Sequence, residues 1–177
     1  MILTANELYK MKDDWTFREL LDGILHKMAS PNTKHQRVVG ELYVQLHSQY
    51  RNKKCSLFQA PYDIQLEEKV VVQPDLFVVC DDTKITELRC IGAPDFIVEV
   101  ISPSSYKKDT IYKKNLYEKH KVKEYWIIYP SDKIILRYVL EGDTYGEPEQ
   151  IEEDRPEVSL AINPDIKIDI ERLFKNT

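Results

Sequence analysis

The chain has 177 residues, of which 42% are hydrophobic and 31% are charged, and its formal net charge is −5 at pH 7. This composition excludes a disordered chain and predicts a soluble globular domain, which we expect to span residues 1–177 as a single unit. The negative charge argues against a generic nucleic-acid coat protein. The amino terminus lacks the basic and apolar regions of a signal peptide and no run reaches membrane-spanning length, so we expect a cytoplasmic protein.

Charge is distributed unevenly along the chain, which bears on the partners that we expect. Seven lysines fall in the segment 107–123 with only two acidic residues, whereas 141–157 is a strongly acidic segment that we interpret as a loop. A lysine cluster permits a phosphate-bearing partner but is more often a solvated face.

The cysteines, Cys55, Cys80 and Cys90, are odd in number and not closely spaced, which predicts neither a disulfide framework nor a zinc site.

A short helix and a hairpin are predicted at the amino terminus. Thr4 and Glu7 have the spacing of a capping box, which predicts that a helix begins there. The segments 16–21 and 24–28 flank Asp22-Gly23, a dipeptide that supplies the positive φ angles of a two-residue turn, so they predict an antiparallel hairpin.

In the register of this hairpin, Glu19 faces His26. The simpler interpretation is a cross-strand pair on the surface. The alternative, in which Glu19 is an additional acid near a metal ion, depends on the family resemblance given below.

A longer helix is predicted from about Thr33 to Arg51, after the Ser30-Pro31-Asn32 start signal. At 100° per residue its inward stripe consists of Val39, Leu42 and Leu46. His35 projects onto the same stripe. A histidine there is commonly a hydrogen-bonded core residue, but the start of a helix is also an anion-binding position, so His35 is retained as a candidate.

Two apolar runs in the middle of the chain predict strands that are buried on both faces. They are residues 73–80 and 93–101, each rich in β-branched side chains and each opened by a Pro-Asp pair. The first belongs to a predicted pair of strands, 55–66 and 70–80, joined by a turn at 67–69.

Each apolar run carries a carboxylate that a core strand would normally exclude, Asp75 in the first and Glu99 in the second. Alone, Asp75 is explained as the end of a turn, and Glu99 as the partner of a basic side chain or as the solvent side of a half-exposed strand, since burying an unpaired carboxylate costs at least several kcal/mol. Together, carboxylates on neighbouring strands can converge on one hard cation, because Mg²⁺ takes one or two protein carboxylates and completes its shell with water and phosphate.

A helix is predicted from about Tyr106 to His120, after the 102–105 stop and cap signal. On a helical wheel Lys113 falls inside the apolar arc, with Asp109 and His120 alongside. An inward lysine is tolerated only with a carboxylate, a phosphate or a lowered pKa. It either forms a buried ion pair with Asp109 or Glu99, or it holds and activates an attacking water beside a metal, and the two interpretations share much of their geometry.

The carboxyl-terminal part predicts further strands. These are a core strand at 123–130, an antiparallel partner at 133–141, an edge strand at 157–162, and a closing helix or strand at 167–175.

Six ordered blocks between roughly residues 15 and 140 resemble the putative restriction endonuclease family of the PD-(D/E)XK nuclease superfamily. The blocks are residues 19–23, 35–40, 73–75, 97–104, Asp109 with Lys113 and Tyr117, and 124–127. The resemblance implies an α/β (α+β) fold with a restriction-endonuclease-like core, in which a central mixed β-sheet is flanked by helices and preceded by an N-terminal β-hairpin. In the superfamily pattern a lysine stands two residues after the acidic residue. In this sequence Ile101 occupies that position after Glu99, and Lys113 matches the lysine that the resembled family carries on the following helix instead.

The resemblance implies metal-dependent hydrolysis of phosphodiester bonds in DNA. Asp75, Glu99 and the Val100 carbonyl are expected to hold Mg²⁺ or Mn²⁺, while Lys113 orients the attacking water. Glu19 and His35 would lie near this ion or bind a second one. By analogy with related nucleases, we expect a homodimer with Trp126 or the 133–141 strand at its interface.

An alternative hypothesis is a nuclease-fold protein that no longer cleaves and serves as a nucleic-acid-binding or interaction module. It predicts a structural ion pair between Asp75 and Lys113 and a neutral or stabilising effect of Lys113→Met. A serine or cysteine hydrolase has little support, because no Ser or Cys lies in a nucleophile-elbow or Cys-His context.

Overall fold

Strands dominate the computed structural model, which describes residues 2–11, 18–102, 108–175 and 177. The helices in these ranges are α1 (Ala5–Lys10), α2 (Thr33–Tyr50), α3 (Lys114–Lys119) and α4 (Ile170–Phe174). The strands in the same ranges are β1 (Arg18–Leu21), β2 (Ile24–Lys27), β3 (Ser56–Gln59), β4 (Asp63–Glu67), β5 (Val70–Val72), β6 (Leu76–Val79), β7 (Arg89–Ile91), β8 (Phe96–Val100), β9 (Glu124–Tyr129), β10 (Ile134–Glu141), β11 (Thr144–Tyr145), β12 (Glu149–Glu152), β13 (Glu157–Ser159) and β14 (Lys167–Asp169). Among the described helices, none is both long enough and apolar enough to span a bilayer.

In the described residues the strands form a central sheet, a second sheet and a small two-stranded sheet of β13 and β14. The central sheet has the order β11-β10-β9-β8-β6-β3, and β12 also pairs with β10. It is mixed, because β8 and β9 are parallel whereas β6 and β8 are antiparallel. The second sheet has the order β2-β1-β5-β4-β7 and contains the predicted amino-terminal hairpin, whose register pairs Glu19 with His26 as predicted.

Helices cover both faces of the central sheet. On one face, Leu42 and Leu46 of α2 belong to the same buried cluster as Trp126 of β9. On the other face, Leu116 and Tyr117 of α3 belong to a second cluster. Because β6 and β8 are covered on both sides, all of their residues are buried, which explains their continuous apolar sequences. The predicted fold, a mixed sheet flanked by helices with an amino-terminal hairpin, is therefore confirmed.

Helix α2 begins as its sequence predicts, since the Asn32 side chain accepts a hydrogen bond of 2.9 Å from the backbone N–H of His35. Its buried stripe contains Leu42 and Leu46 as predicted and differs from the predicted stripe at one position. Val38 is fully buried together with Leu42 and Leu46, whereas Val39 is only partly buried.

The two strands predicted at 55–66 and 70–80 are each divided between the two sheets. β3 and β6 pair in the central sheet, whereas β4 and β5 form a hairpin in the second sheet. The breaks contain Pro61 and Pro74, which have no backbone N–H to donate to a ladder. The break at Pro74 ends in Asp75, which therefore lies just before β6 rather than within a continuous strand.

The pairing of β3 with β6 brings together two cysteines. Ser56 lies opposite Val79, so Cys55 lies opposite Cys80, and the two form a disulfide with their Cα atoms 4.0 Å apart. The prediction that the cysteines form no disulfide is wrong for this pair. Spacing along the sequence could not reveal it, because the contact depends on the register of two strands that are 25 residues apart.

Three predictions for the carboxyl-terminal half also need correction. The acidic 141–157 segment is not a loop, because it contains β11 and β12, which both pair with β10. The edge strand ends at Ser159, and residues 167–175 hold both a strand and a helix. Trp126 is fully buried in the core, so it cannot form part of a dimer interface.

Candidate functional site

A cavity of about 350 Å³ lies where the break before β6, the end of β8, the start of α2 and the turn before α3 meet. Among its lining residues are Asp75, Glu99, Val100, Lys113 and His35. Five predicted site residues are therefore brought to one cavity. The sixth, Glu19, lies behind it and contacts Lys113.

Strand register places the two predicted metal ligands side by side. β6 and β8 are antiparallel with Leu76 opposite Val98, so one step further along the register puts Asp75 opposite Glu99. Residues that are directly opposite in an antiparallel pair point to the same face of the sheet. The two carboxylates are therefore neighbours by topology, although they are separated by 24 positions in sequence.

Asp75 is oriented by two donors. Its Oδ2 accepts a hydrogen bond of 2.7 Å from the backbone N–H of Val100, and it lies 3.1 Å from Nε2 of His35. The side chain of Asp75 keeps about 15% of its surface exposed, in contrast to the other acidic groups of the site. Asp75 thus presents a fixed and partly accessible carboxylate to the cavity.

Glu99 is buried and receives two hydrogen bonds on Oε1. Nζ of Lys113 donates at 2.7 Å and the hydroxyl of Tyr117 donates at 2.8 Å. Burial raises the pKa of Glu99 well above its usual value, because the opposing effect of Lys113 is offset by the nearby carboxylates of Asp109, Asp75 and Glu19.

Lys113 is the buried cation of the site, as its position on the helical wheel predicted. Its Nζ lies 2.7 Å from Glu99, 2.7 Å from Glu19 and 3.4 Å from Asp109. Burial lowers the pKa of Lys113, but Glu19 and Glu99 outweigh this effect and raise it well above its usual value, so the side chain remains an ammonium group. The ion pair between Asp75 and Lys113 that the binding-module hypothesis predicts is replaced by these contacts.

Glu19 is fully buried, so the prediction of a surface pair with His26 is wrong. The hairpin register is correct, but Glu19 turns towards the site, where its Oε2 lies 2.6 Å from Nζ of Lys108. Burial raises the pKa of Glu19, yet the ammonium groups of Lys113 and Lys108 outweigh this effect and lower the pKa to about 2. Glu19 is therefore ionised at neutral pH and anchors both lysines.

A π-helical turn at Lys108–Lys113 supplies the cations. The predicted α-helix begins at Tyr106, which lies outside the described residues, and adopts α geometry only from Lys114. In a π-helix hydrogen bonds run from i to i+5, so Lys108 and Lys113 lie on the same side of the turn. Sequence reasoning with α periodicity missed Lys108 for this reason.

The charge of the cluster fits a bound cation. Glu19, Glu99 and Asp109 contact the ammonium groups of Lys108 and Lys113, and Asp75 at the same cavity contacts His35 and the Val100 N–H instead. No three His, Cys, Asp or Glu side chains in the described part of the chain surround a common metal position. A donor set limited to the two carboxylates on β6 and β8 matches Mg²⁺, which retains waters and takes further oxygens from a substrate phosphate.

Gln73 is a further residue of the cavity that sequence reasoning did not single out. Its backbone N–H donates to Oε1 of Glu19 at 3.3 Å, and its side-chain Nε2 donates to Oδ1 of Asp63 at 2.6 Å. Its place directly before Pro74-Asp75 is a signal that could have identified it.

The fold agrees with comparisons to known proteins. A crystal structure of a putative nuclease belonging to DUF820, from Anabaena variabilis ATCC 29413, matches with a TM-score of 0.79 and 19% sequence identity, covering 98% of each chain. At this identity the match establishes the fold. A comparison with curated proteins found no match. The model of the Uma2 family, described as "Putative restriction endonuclease", matches residues 5–171, and the chain therefore belongs to that family.

Proposed function

We propose that the protein is a metal-dependent endonuclease that hydrolyses phosphodiester bonds of DNA. One observation carries this proposal: Asp75 and Glu99 lie opposite each other at one cavity, and the ammonium group of Lys113 contacts Glu99. Membership of the putative restriction endonuclease family supports the assignment to nucleases.

Asp75 and Glu99, with the Val100 carbonyl, would hold Mg²⁺ or Mn²⁺. When bound, such an ion supplies Lewis-acid polarisation of a phosphoryl oxygen and lowers the pKa of a coordinated water. The grouping of Glu19, Asp75, Glu99 and Asp109 around only two ammonium groups supports cation binding here, because carboxyl oxygens are the ligands that Mg²⁺ prefers.

The chain's own residues provide positioning and charge. Lys113 remains an ammonium group, so it acts as a donor that orients the attacking water and the scissile phosphate, and not as a general base. Glu19 anchors Lys113, and His35 and the Val100 N–H fix the carboxylate of Asp75. These contacts hold the reacting groups in place before the substrate arrives.

Cleavage of labelled DNA with Mn²⁺, with Mg²⁺ and with a chelator tests this function. We expect metal-dependent cleavage by the wild type and its abolition in Asp75→Asn and Glu99→Gln, because both substitutions remove a ligand charge and keep the side-chain shape. Asp95→Asn is the matched control. Asp95 also follows a proline before a core strand, but its side chain binds Lys123 and the Cys80 N–H, away from the cavity.

Cleavage that persists at the wild-type rate in Asp75→Asn, with melting temperatures that show all variants to be folded, would contradict the proposal. Loss of cleavage in Asp95→Asn as well would show that the assay reports on general damage to these strands.

A further inference from the structure

The cavity has an apolar part that the proposed phosphate chemistry does not use. Met28, Ala29 and Pro31 line it from the segment between β2 and α2, and Ala60 and Pro61 line it from the break after β3. Binding a phosphate requires cations and hydrogen-bond donors and gains little from apolar surface. Apolar lining with a few polar groups is instead typical of a pocket for an organic ligand group.

The same cavity also has cations that stand apart from Lys113. Lys27 at the end of β2 is exposed, and the Lys108 side chain is about 25% exposed while it contacts Glu19. Beside the carboxyl groups of Asp75, Glu99 and Asp109, the cavity therefore offers two partly accessible ammonium groups and an apolar surface. A nucleotide has the complementary pair of features, an anionic phosphate and a flat base whose faces are weakly polar.

Gln73, which lines the cavity, carries a buried acceptor without a partner. Nε2 of Gln73 donates to Asp63, which fixes the orientation of the amide, and Oε1 is then buried with no hydrogen-bond partner in the described ranges. An unsatisfied buried acceptor is costly, so a ligand whose N–H donor reached Oε1 would gain binding free energy. The exocyclic amino groups of adenine, cytosine and guanine are such donors.

We propose that this cavity takes one unpaired nucleotide of the DNA beside the scissile phosphate, so that the preferred substrate is single-stranded or locally unpaired. The volume of about 350 Å³ lies near the lower end of the range for small-ligand sites and suits one nucleotide. In a paired duplex the bases are stacked inside the helix, so a base enters such a pocket only when it is unpaired or turned out of the stack. This proposal rests on the proposed nuclease function.

Fluorescence anisotropy in a metal chelator separates binding from cleavage. The probe is a short fluorescent DNA oligonucleotide, used single-stranded and as the fully paired duplex of the same sequence. We expect the wild type to bind the single strand about tenfold more tightly or better. Ala29→Leu, which fills part of the cavity, should lower the affinity for the single strand about tenfold. Ala161→Leu, the same change at an exposed alanine between β13 and β14, should leave it unchanged.

Equal affinity of the wild type for the single strand and the duplex would overturn the proposal, and this comparison needs no variant. An unchanged single-strand affinity in folded Ala29→Leu would also overturn it. A parallel cleavage assay with Mn²⁺ separates this proposal from the function on which it rests. Preference for the single strand without cleavage of either form would retain the nucleotide site and reject the nuclease. Cleavage of both forms at one rate without a binding preference would retain the nuclease and reject the nucleotide site.

Discussion

Lys113 is the residue on which the buried charges of the site depend. Its ammonium group contacts Glu19, Glu99 and Asp109, and all four side chains are almost fully buried. Removing one partner of a buried charge network leaves the other charges uncompensated, which costs about 3–5 kcal/mol. We therefore predict that Lys113→Met lowers the free energy of unfolding by about this amount.

Urea unfolding measures this change. Lys114→Met is the matched control, because Lys114 is the next residue and its pair with Glu118 is partly exposed, so its loss should cost about 1 kcal/mol or less. A neutral or stabilising effect of Lys113→Met would instead agree with the binding-module hypothesis.

Glu19 makes the free energy of unfolding depend on pH in the acidic range. Its pKa is about 2 in the folded protein and 4.5 is its ordinary value, so its ionised form is favoured by folding. This contribution is present above about pH 4.5 and is lost as the pH falls towards 2. We predict that the wild type is more stable than Glu19→Gln by about 3 kcal/mol near neutral pH. Urea unfolding of both proteins at a series of pH values should show this difference shrinking through that window, and a difference that stays constant would contradict the account.

Among the elements, β3 depends on a covalent link to the central sheet. β3 is an edge strand that pairs with β6, and the disulfide between Cys55 and Cys80 closes the chain at one end of this pair. The cysteines are 25 positions apart in sequence, for which the chain-entropy model gives about 3.5 kcal/mol of stabilisation. We predict that a thiol reductant lowers the unfolding free energy of the wild type by about this amount. The double variant Cys55→Ser with Cys80→Ser should already show the lower value and should not respond to the reductant.

Element geometry also explains how much of the site could be predicted from the sequence. The continuous apolar runs identified β6 and β8, and their carboxylates Asp75 and Glu99 stood out because core strands normally exclude charge. Lys108 was missed because the α-helical wheel does not apply to the π-helical turn at Lys108–Lys113. The burial of Glu19 was missed because the hairpin alone does not reveal that Lys108 and Lys113 lie against it.

At the scale of the whole molecule, the net charge of −5 describes the site poorly. The cavity brings Lys27 together with Lys108 and Lys113 beside the carboxyl groups of Asp75, Glu99 and Asp109, and the phosphate of the proposed substrate would respond to this local charge distribution. The expected homodimer stays a prediction. β10, whose 133–141 segment was expected at the interface, pairs with β9 on one side and with β11 and β12 on the other, so its edges are occupied.

The most direct test of the central claim is calorimetric titration of Mn²⁺ into the wild type, Asp75→Asn and Asp95→Asn, each alone and with a short DNA oligonucleotide. The account predicts binding to the wild type and to Asp95→Asn, and its loss in Asp75→Asn, because Asp75 is one of the two carboxylates proposed as metal ligands. Absence of binding to the wild type under both conditions, or equal binding to Asp75→Asn, would contradict it.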